Sequence, residues 1–252
     1  MFNWLPSTQK KLHNLQELQW DVHCHLLPGI DDGPENMEES VEMIKFMKSL
    51  GYKGAVCTSH IFPDVYDNHA DDMKRGVDKL QEELIKQNID FKLHASAEYM
   101  IDSSFIELAK SKSLLAFGKE NHILVETGFT QANPYFDEAI YEVQCAGYSP
   151  ILAHPERYGY LINGHDIQKY EEIYDKGIEM QINLFSLLGK YGRPSQDVAE
   201  KLLNKGYVQW IGSDIHRLSQ IPLLEKVNHT KTLYSFLKKQ QFYNLNIAEY
   251  YD

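Results

Sequence analysis

The sequence predicts an α/β protein built on parallel strands, and three observations carry that reading. About seven short, apolar, β-prone runs alternate with segments whose apolar residues recur at helical spacing, the order produced by strands joined through right-handed crossover helices. Residues able to bind metal or move protons stand just after those runs. A chain of 252 residues without a Pro/Gly/Ser-rich linker suits one domain spanning 1–252. On the residues alone, a β/α barrel and a doubly wound sheet both satisfy the alternation.

Residues 1–18 read as an N-terminal arm with a short helix. The first strand runs into Asp21-Val22-His23-Cys24-His25. Two histidines one residue apart on a strand share a face, because side chains alternate with period two, and so form a chelating pair. The turn from Pro28 to Gly33 then brings Asp31 and Asp32 back over the same edge. Imidazoles beside hard oxygen donors suit Zn, Mn or Fe. A helix is expected over 36–50, where Met37, Val41 and Ile44 keep helical spacing. The second strand, 54–58, leads to His60 and is broken at Pro63.

The alternation continues with a helix through Val77, Leu80, Leu84 and Ile85, a third strand at 91–97 ending at Glu98, and a short helix through Phe105 to Ala109. A fourth strand at 122–125 ends at Glu126, and the helix at 136–146 is closed by Gly147. A fifth strand at 150–153 ends at His154, a helix at 167–174 ends at Gly177, and a sixth strand at 179–182 ends near Asn183. A helix at 198–203 precedes the seventh strand, 208–211, which runs into Asp214 and His216. Residues 225–252 read as a C-terminal helical tail.

Composition narrows the function classes. With 43% hydrophobic and 24% charged residues the chain is an ordinary globular protein. Its net charge of −11 argues against a nucleic-acid partner, which needs a basic surface. No apolar run approaches the ~20 residues that cross a bilayer, and 1–20 lacks a signal-peptide pattern, so a cytoplasmic protein without membrane insertion is expected. Cys24, Cys57 and Cys145 are too few for a disulfide framework and read as small buried residues. There is no His-Glu-x-x-His helix, no Gly-x-Ser-x-Gly elbow, and no arginine six residues after a cysteine. Zincin, serine-hydrolase and cysteine-phosphatase chemistry are thereby excluded.

The site candidates are positional. His23, His25, His60, Glu98, Glu126, His154, Asp214 and His216 all follow predicted strands. In a β/α barrel those ends converge on one mouth, where active sites form. The other histidines serve as a control: His13, His69, His165 and His229 fall in helices or loops, His122 opens a strand at the opposite end, and His94 lies mid-strand. None of them is assigned to the site.

These residues carry a resemblance. His23-x-His25 with Pro-Gly-Ile-Asp-Asp-Gly, Thr58-Ser-His60, Ala97-Glu98, Val125-Glu126, Ala153-His154-Pro-Glu-Arg157-Tyr158 and Ser213-Asp214-Ile-His216 resemble the motifs of the polymerase-and-histidinol-phosphatase superfamily. More narrowly they resemble its bacterial capsular and exopolysaccharide tyrosine-protein phosphatases, from about residue 19 to 220. The resemblance implies a distorted (β/α)7 TIM-like barrel and three divalent metal ions, manganese, iron or zinc. One ion would be held by His23, His25, Glu98 and Asp214, a second by Glu98, Glu126 and His154, and a third by Asp32, His60 and His216. Arg157 matches a phosphate-holding arginine. The family's second arginine has no match at Leu218 to Pro222, and Arg217 is the nearby substitute.

The implied activity is metal-dependent hydrolysis of phosphotyrosine by a metal-bound hydroxide, regulating polysaccharide synthesis. The implied substrate is a phosphotyrosine protein such as the tyrosine-rich tail of a bacterial tyrosine kinase. Two alternatives stand beside it: a histidinol-phosphate or other small-molecule phosphatase, and a non-catalytic metal-binding regulator.

Overall fold

The computed structural model describes residues 12–162 and 167–251, so most of the expected arm and His165 lie outside the described residues. The strands are β1 (Trp20–Cys24), β2 (Gly54–Cys57), β3 (His60–Ile61), β4 (Lys92–Ala95), β5 (Glu98–Met100), β6 (His122–Glu126), β7 (Ser149–Ala153), β8 (Glu179–Asn183) and β9 (Trp210–Gly212). Every ladder between them is parallel, in the orders β1-β2-β4 and β3-β5-β6-β7-β8-β9.

The second and third expected strands are each broken in two: β3 resumes β2 after Thr58-Ser59, and β5 resumes β4 after Ser96-Ala97. The backbone bonds carry across both breaks, with Ser96 N donating to Cys57 O at 2.9 Å and Glu98 N to Thr58 O at 3.1 Å. The nine segments are therefore seven staves. The first and last staves meet, since Asp214 N donates to His23 O at 2.8 Å and His25 N to Ile215 O at 2.9 Å. The sheet thus curls into a distorted β/α barrel, and the doubly wound alternative falls away.

Helices cover the outside because their apolar stripes are the spacings noted in the sequence. Met37–Ser49 starts where the Asn36 side chain accepts from Glu39 N, and it buries Val41, Ile44 and Met47. Ser103–Lys110 starts in the same way at Asp102, which accepts from Phe105 N. Between these helices and the sheet lies the larger apolar core. A second core fills the barrel itself, made of Trp20, Val22, Val56, Leu124, Ile151, Ala153 and Trp210 with Phe117 and Ile247. Burying each such large apolar side chain contributes about 1.5–3 kcal/mol before entropy is charged. Trp20 and Trp210 open their strands, so their rings floor the barrel and leave its opposite end as the mouth.

The tail is part of that floor. It comprises helices Ile221–Asn228, Lys231–Lys239 and Asn244–Tyr251, and Ile247 inserts into the inner core. Asn244 Nδ2 donates to Trp20 O at 2.9 Å and to Ile211 O at 2.7 Å, while its Oδ1 accepts from Ile211 N at 3.1 Å. Higher up, Asp21 Oδ1 accepts from Ser213 N at 3.0 Å. Below its last backbone bonds, then, the seam between β1 and β9 is held by side chains. The short helix Asn14–Leu18 packs against the tail, Leu15 N donating to Asn228 Oδ1 at 2.8 Å.

Among the described residues no helix is long and apolar enough to cross a membrane. All three cysteines are free, but only Cys24 and Cys57 are buried; Cys145 sits on the exposed face of helix Phe136–Ala146, which corrects the expectation for it.

Candidate functional site

The eight strand-end residues and Asp32 come together at the mouth, though the first pair does so by a different route from the one expected. β1 stops at Cys24 and its pairing with β2 slips between Asp21 and Cys24, so His23 and His25 do not sit on one regular strand. His23 turns inward at the irregularity, and His25 is placed by its backbone bond to Ile215. The two rings converge all the same, 5.6 Å apart. The close approach of β9 is possible because residue 212 is glycine: a Cβ there would collide with the Cβ of His23 and the Gln181 amide. Two other site residues, His154 (φ 36°) and Asp214 (φ 54°), hold left-handed backbone just past their strands, a strained geometry for non-glycine residues that recurs at functional sites.

Three overlapping groups have ligand atoms within 4.8 Å of one another: His23, His25, Glu98 and Asp214; His60, Glu98 and Glu126; and His25, Asp32, His60 and His216. Glu98 is central. Its Oε2 lies 3.1 Å from His23 Nε2 and 3.4 Å from His25 Nε2 and His60 Nδ1, and its Oε1 lies 2.9 Å from His154 Nε2. Glu126 is flanked by His60 Nδ1 at 3.2 Å and His154 Nε2 at 3.9 Å. Asp32, whose side chain is 43% exposed, reaches His216 Nε2 at 3.4 Å and His60 Nε2 at 3.7 Å.

The far sides of three of the rings are anchored. His23 Nδ1 pairs with Gln181 Oε1 at 2.8 Å, His25 Nδ1 with Asp31 Oδ2 at 2.8 Å, and His216 Nδ1 with Asp214 O at 3.0 Å. Asn183 Nδ2 donates to Asp214 Oδ2 at 2.6 Å. Such outer bonds fix the ring tautomer and aim the other nitrogen at a cation. Gln181, Asn183 and the anchoring role of Asp31 were not visible in the sequence, because a polar residue inside a strand gives no sign of a partner 158 positions away.

The electrostatics match a cation-binding cluster. Burial opposes protonation of His23, but Glu98 and Asp214 outweigh it and raise its pKa to about 9. Burial likewise opposes a charge on His25, yet Asp31 and Glu98 hold its pKa well above the usual imidazole value. Burial would raise Glu98, but His23 and His154 keep it well below the carboxylate range. His25 Nε2, His60 Nδ1 and Asp32 Oδ1 are buried without a hydrogen-bond partner among the described residues, and all three belong to the groups above. Buried lone pairs left unpaired in this way are what divalent ions satisfy, and a mixed imidazole and carboxylate set fits Mn, Fe or Zn.

Around the cluster opens a cavity of about 820 Å³. Arg157 lines it, its Nη1 2.8 Å from Asp214 Oδ2 and its guanidinium held between the rings of Phe129 (4.7 Å) and Tyr191 (4.3 Å). Arg217 lies on the rim, exposed, with Nε donating to Asp32 O at 3.4 Å. Tyr66 stacks on His60 at 5.3 Å and Phe129 on His154 at 5.7 Å, giving the mouth aromatic walls.

The model of a family described as capsular polysaccharide synthesis, CpsB/CapC, matches residues 19–240. This chain belongs to that family. Relatives of the CpsB/CapC chain include the tyrosine-protein phosphatase YwqE of Bacillus subtilis, 28% identical over 79% of this chain and 77% of that one. The tyrosine-protein phosphatase CpsB of Streptococcus agalactiae is 26% identical over 80% of this chain and 84% of its own. Among solved structures, one from work on YwqE of Bacillus subtilis and CpsB of Streptococcus pneumoniae, described as unique metal-dependent tyrosine phosphatases, superposes with a TM-score of 0.74 at 26% identity, covering 88% of this chain and 96% of that one. The lactonase Lmo2620 of Listeria monocytogenes shares the fold at a TM-score of 0.53 and 13% identity. The CpsB/CapC assignment begins at the first strand and reaches past Lys239, so it includes part of the helical tail.

Proposed function

We propose that this protein is a metal-dependent protein-tyrosine phosphatase that regulates capsular or exopolysaccharide synthesis. The observation that carries the reading is one buried carboxylate, Glu98, shared by two imidazole and carboxylate groups beside an arginine that opens onto a cavity. The named relatives and the superposed structure support the same activity.

His23, His25, Glu98 and Asp214 would hold one ion, Glu98, Glu126 and His154 a second, and Asp32, His60 and His216 a third, with His60 Nδ1 facing the second group as well. When bound, divalent Mn, Fe or Zn would supply Lewis acidity and activate water for attack on phosphorus. The chain's own groups do the rest. Arg157 offers a planar pair of donors that matches two phosphoryl oxygens, and its two ring contacts keep that fork oriented. Arg217 can reach an outer oxygen from the rim. Asn183 and Arg157 fix Asp214, so the same arginine links substrate to the metal-facing carboxylate. Phe62, Tyr66 and Phe129 line the cavity and give an aryl ring an apolar path to the cluster.

The substrate is a phosphotyrosine protein such as the tail of a bacterial tyrosine kinase. The aromatic walls favour it over a small alkyl phosphate such as histidinol phosphate. Side-by-side turnover of a phosphotyrosine peptide and histidinol phosphate by metal-loaded protein tests this: the peptide should have the higher kcat/KM, and the reverse order would overturn the reading.

A further inference from the structure

We propose that Lys190 is a second phosphate-binding cation that acts beside Arg157 on one wall of the cavity; the inference rests on the phosphatase reading above. Lys190 lines the cavity with Tyr191. Its Nζ lies 4.8 Å from the centre of the Phe185 ring and 5.3 Å from that of Tyr191. The Tyr191 ring also carries the Arg157 guanidinium, at 4.3 Å. One aromatic side chain therefore holds two cations.

The loop that presents Lys190 is tied down. Gly189, at φ 73°, ends the short turn Leu184–Leu188, Lys190 N donates to Phe185 O at 3.2 Å, and Gly192 N donates to Gly189 O at 3.0 Å. A lysine placed for solubility needs no such framing. Among the described residues its ammonium makes no ion pair, whereas Arg157 has Asp214. Burial pushes its pKa down; Asp214 pulls it up, and the nearby Arg157 charge opposes that pull in part. Two like charges near one ring repel, and an anion between them relieves the repulsion.

A phosphate monoester carries close to two negative charges near neutral pH. Arg157 meets it with a fixed fork, and Lys190, a compact charge on a flexible stem, follows the oxygens as geometry at phosphorus changes. Arg217 is a poorer partner for this task, because its Nε is bound to Asp32 O on the rim beside His216. Lys190 thus fills the role for which Leu218 to Pro222 offer no arginine.

The test compares Lys190→Met, which keeps the apolar stem, with Lys190→Arg, which keeps the charge, in the metal-loaded full chain. Lys190→Met should raise KM for a phosphotyrosine peptide about tenfold and weaken inorganic phosphate binding, read by calorimetric titration, by about tenfold, equivalent to about 1.4 kcal/mol. Metal content and Tm should match wild type, and Lys190→Arg should restore phosphate binding to within about threefold. Unchanged phosphate affinity in Lys190→Met would overturn the proposal, as would loss of metal or of Tm in that variant, or a wild-type protein that binds no phosphate. The titration needs no turnover, so a wild type that binds phosphate but hydrolyses no phosphotyrosine peptide would sink the phosphatase reading and still rank the variants.

Discussion

At the mouth of the barrel, His23, His25 and His60 face Glu98, Glu126, Asp31 and Asp214; at the floor, His94 lies against Trp20 at 5.4 Å and His122 against Trp210 at 4.9 Å. Carboxylates raise His23, His25 and His60 above their ordinary pKa, while burial lowers both floor histidines to about 4. Glu179 stands 3.4 Å from His122 Nδ1, but Trp210 Nε1 donates to that carboxylate and burial raises its own pKa, so it does not charge the ring. The same residue type is a cation site at one end and a neutral core residue at the other. What separates them is the number of carboxylates within reach, not depth of burial, since His122 is 6% exposed and His23 is fully buried.

The largest effects should come from the mouth. His23→Ala or Asp214→Ala should lose metal, by elemental analysis, together with on the order of a thousandfold or more in kcat/KM. Full activity in either variant would break the contrast, because the mouth would then be merely another polar core. Arg157→Ala should keep its metal yet lose on the order of a hundredfold in kcat/KM, about 2.7 kcal/mol, in steady-state kinetics. A variant that keeps near-normal kcat/KM would place the phosphate grip elsewhere. Next in size, Asp31→Asn should weaken metal affinity roughly tenfold to a hundredfold in competition with a chelator, since the His25 ring loses its anionic anchor.

The pH dependence sharpens the comparison further, for the two ends should pull in opposite directions. His23 titrates at about 9 folded and near 6.5 unfolded, so its contribution to metal-free stability is full below about pH 6.5 and lost as pH rises through 9. His122, at about 4 folded, contributes above about pH 6.5 and loses that contribution as pH falls toward 4. Tm of metal-free protein should therefore fall on both sides of about pH 6.5. His122→Phe should shrink the acid limb, to which His94 also contributes, and metal loading should shrink the alkaline limb; a single-sided profile in the wild type would count against the assignment. Smallest of all, Cys24→Ser should leave turnover within about tenfold, because burial holds that thiol well above its usual pKa and away from thiolate chemistry. Loss of activity in folded, metal-loaded Cys24→Ser would implicate the thiol.

The alternation of strands and helices, and the ligand candidates just past the strands, were legible because each is a local pattern with a fixed period. His60, Glu98 and His154 could be placed from neighbours alone. What escaped was non-local. Nothing in the dipeptides Thr58-Ser59 and Ser96-Ala97 marks a strand that stops and resumes. Gly212 looks like an ordinary loop glycine until His23 is packed against it. Gln181, Asn183, Lys190 and Tyr191 acquire meaning only from partners on other staves.

The side-chain seam between β1 and β9 also has a consequence in time. Trp20 O waits for the Asn244 amide, 224 residues later, and Asp21 Oδ1 for Ser213 N, 192 residues later. At roughly 5–20 residues per second of synthesis, the first strand stays open along one edge for roughly ten to forty-five seconds while the rest of the chain is made. The middle staves pair with sequence neighbours and can form as they emerge, whereas His23 and His25 meet Asp214 only near the end. Metal loading of the group they share is accordingly a late event, and a nascent chain stalled before residue 210 would expose an unpaired strand edge and half a chelate to whatever else in the cell binds them.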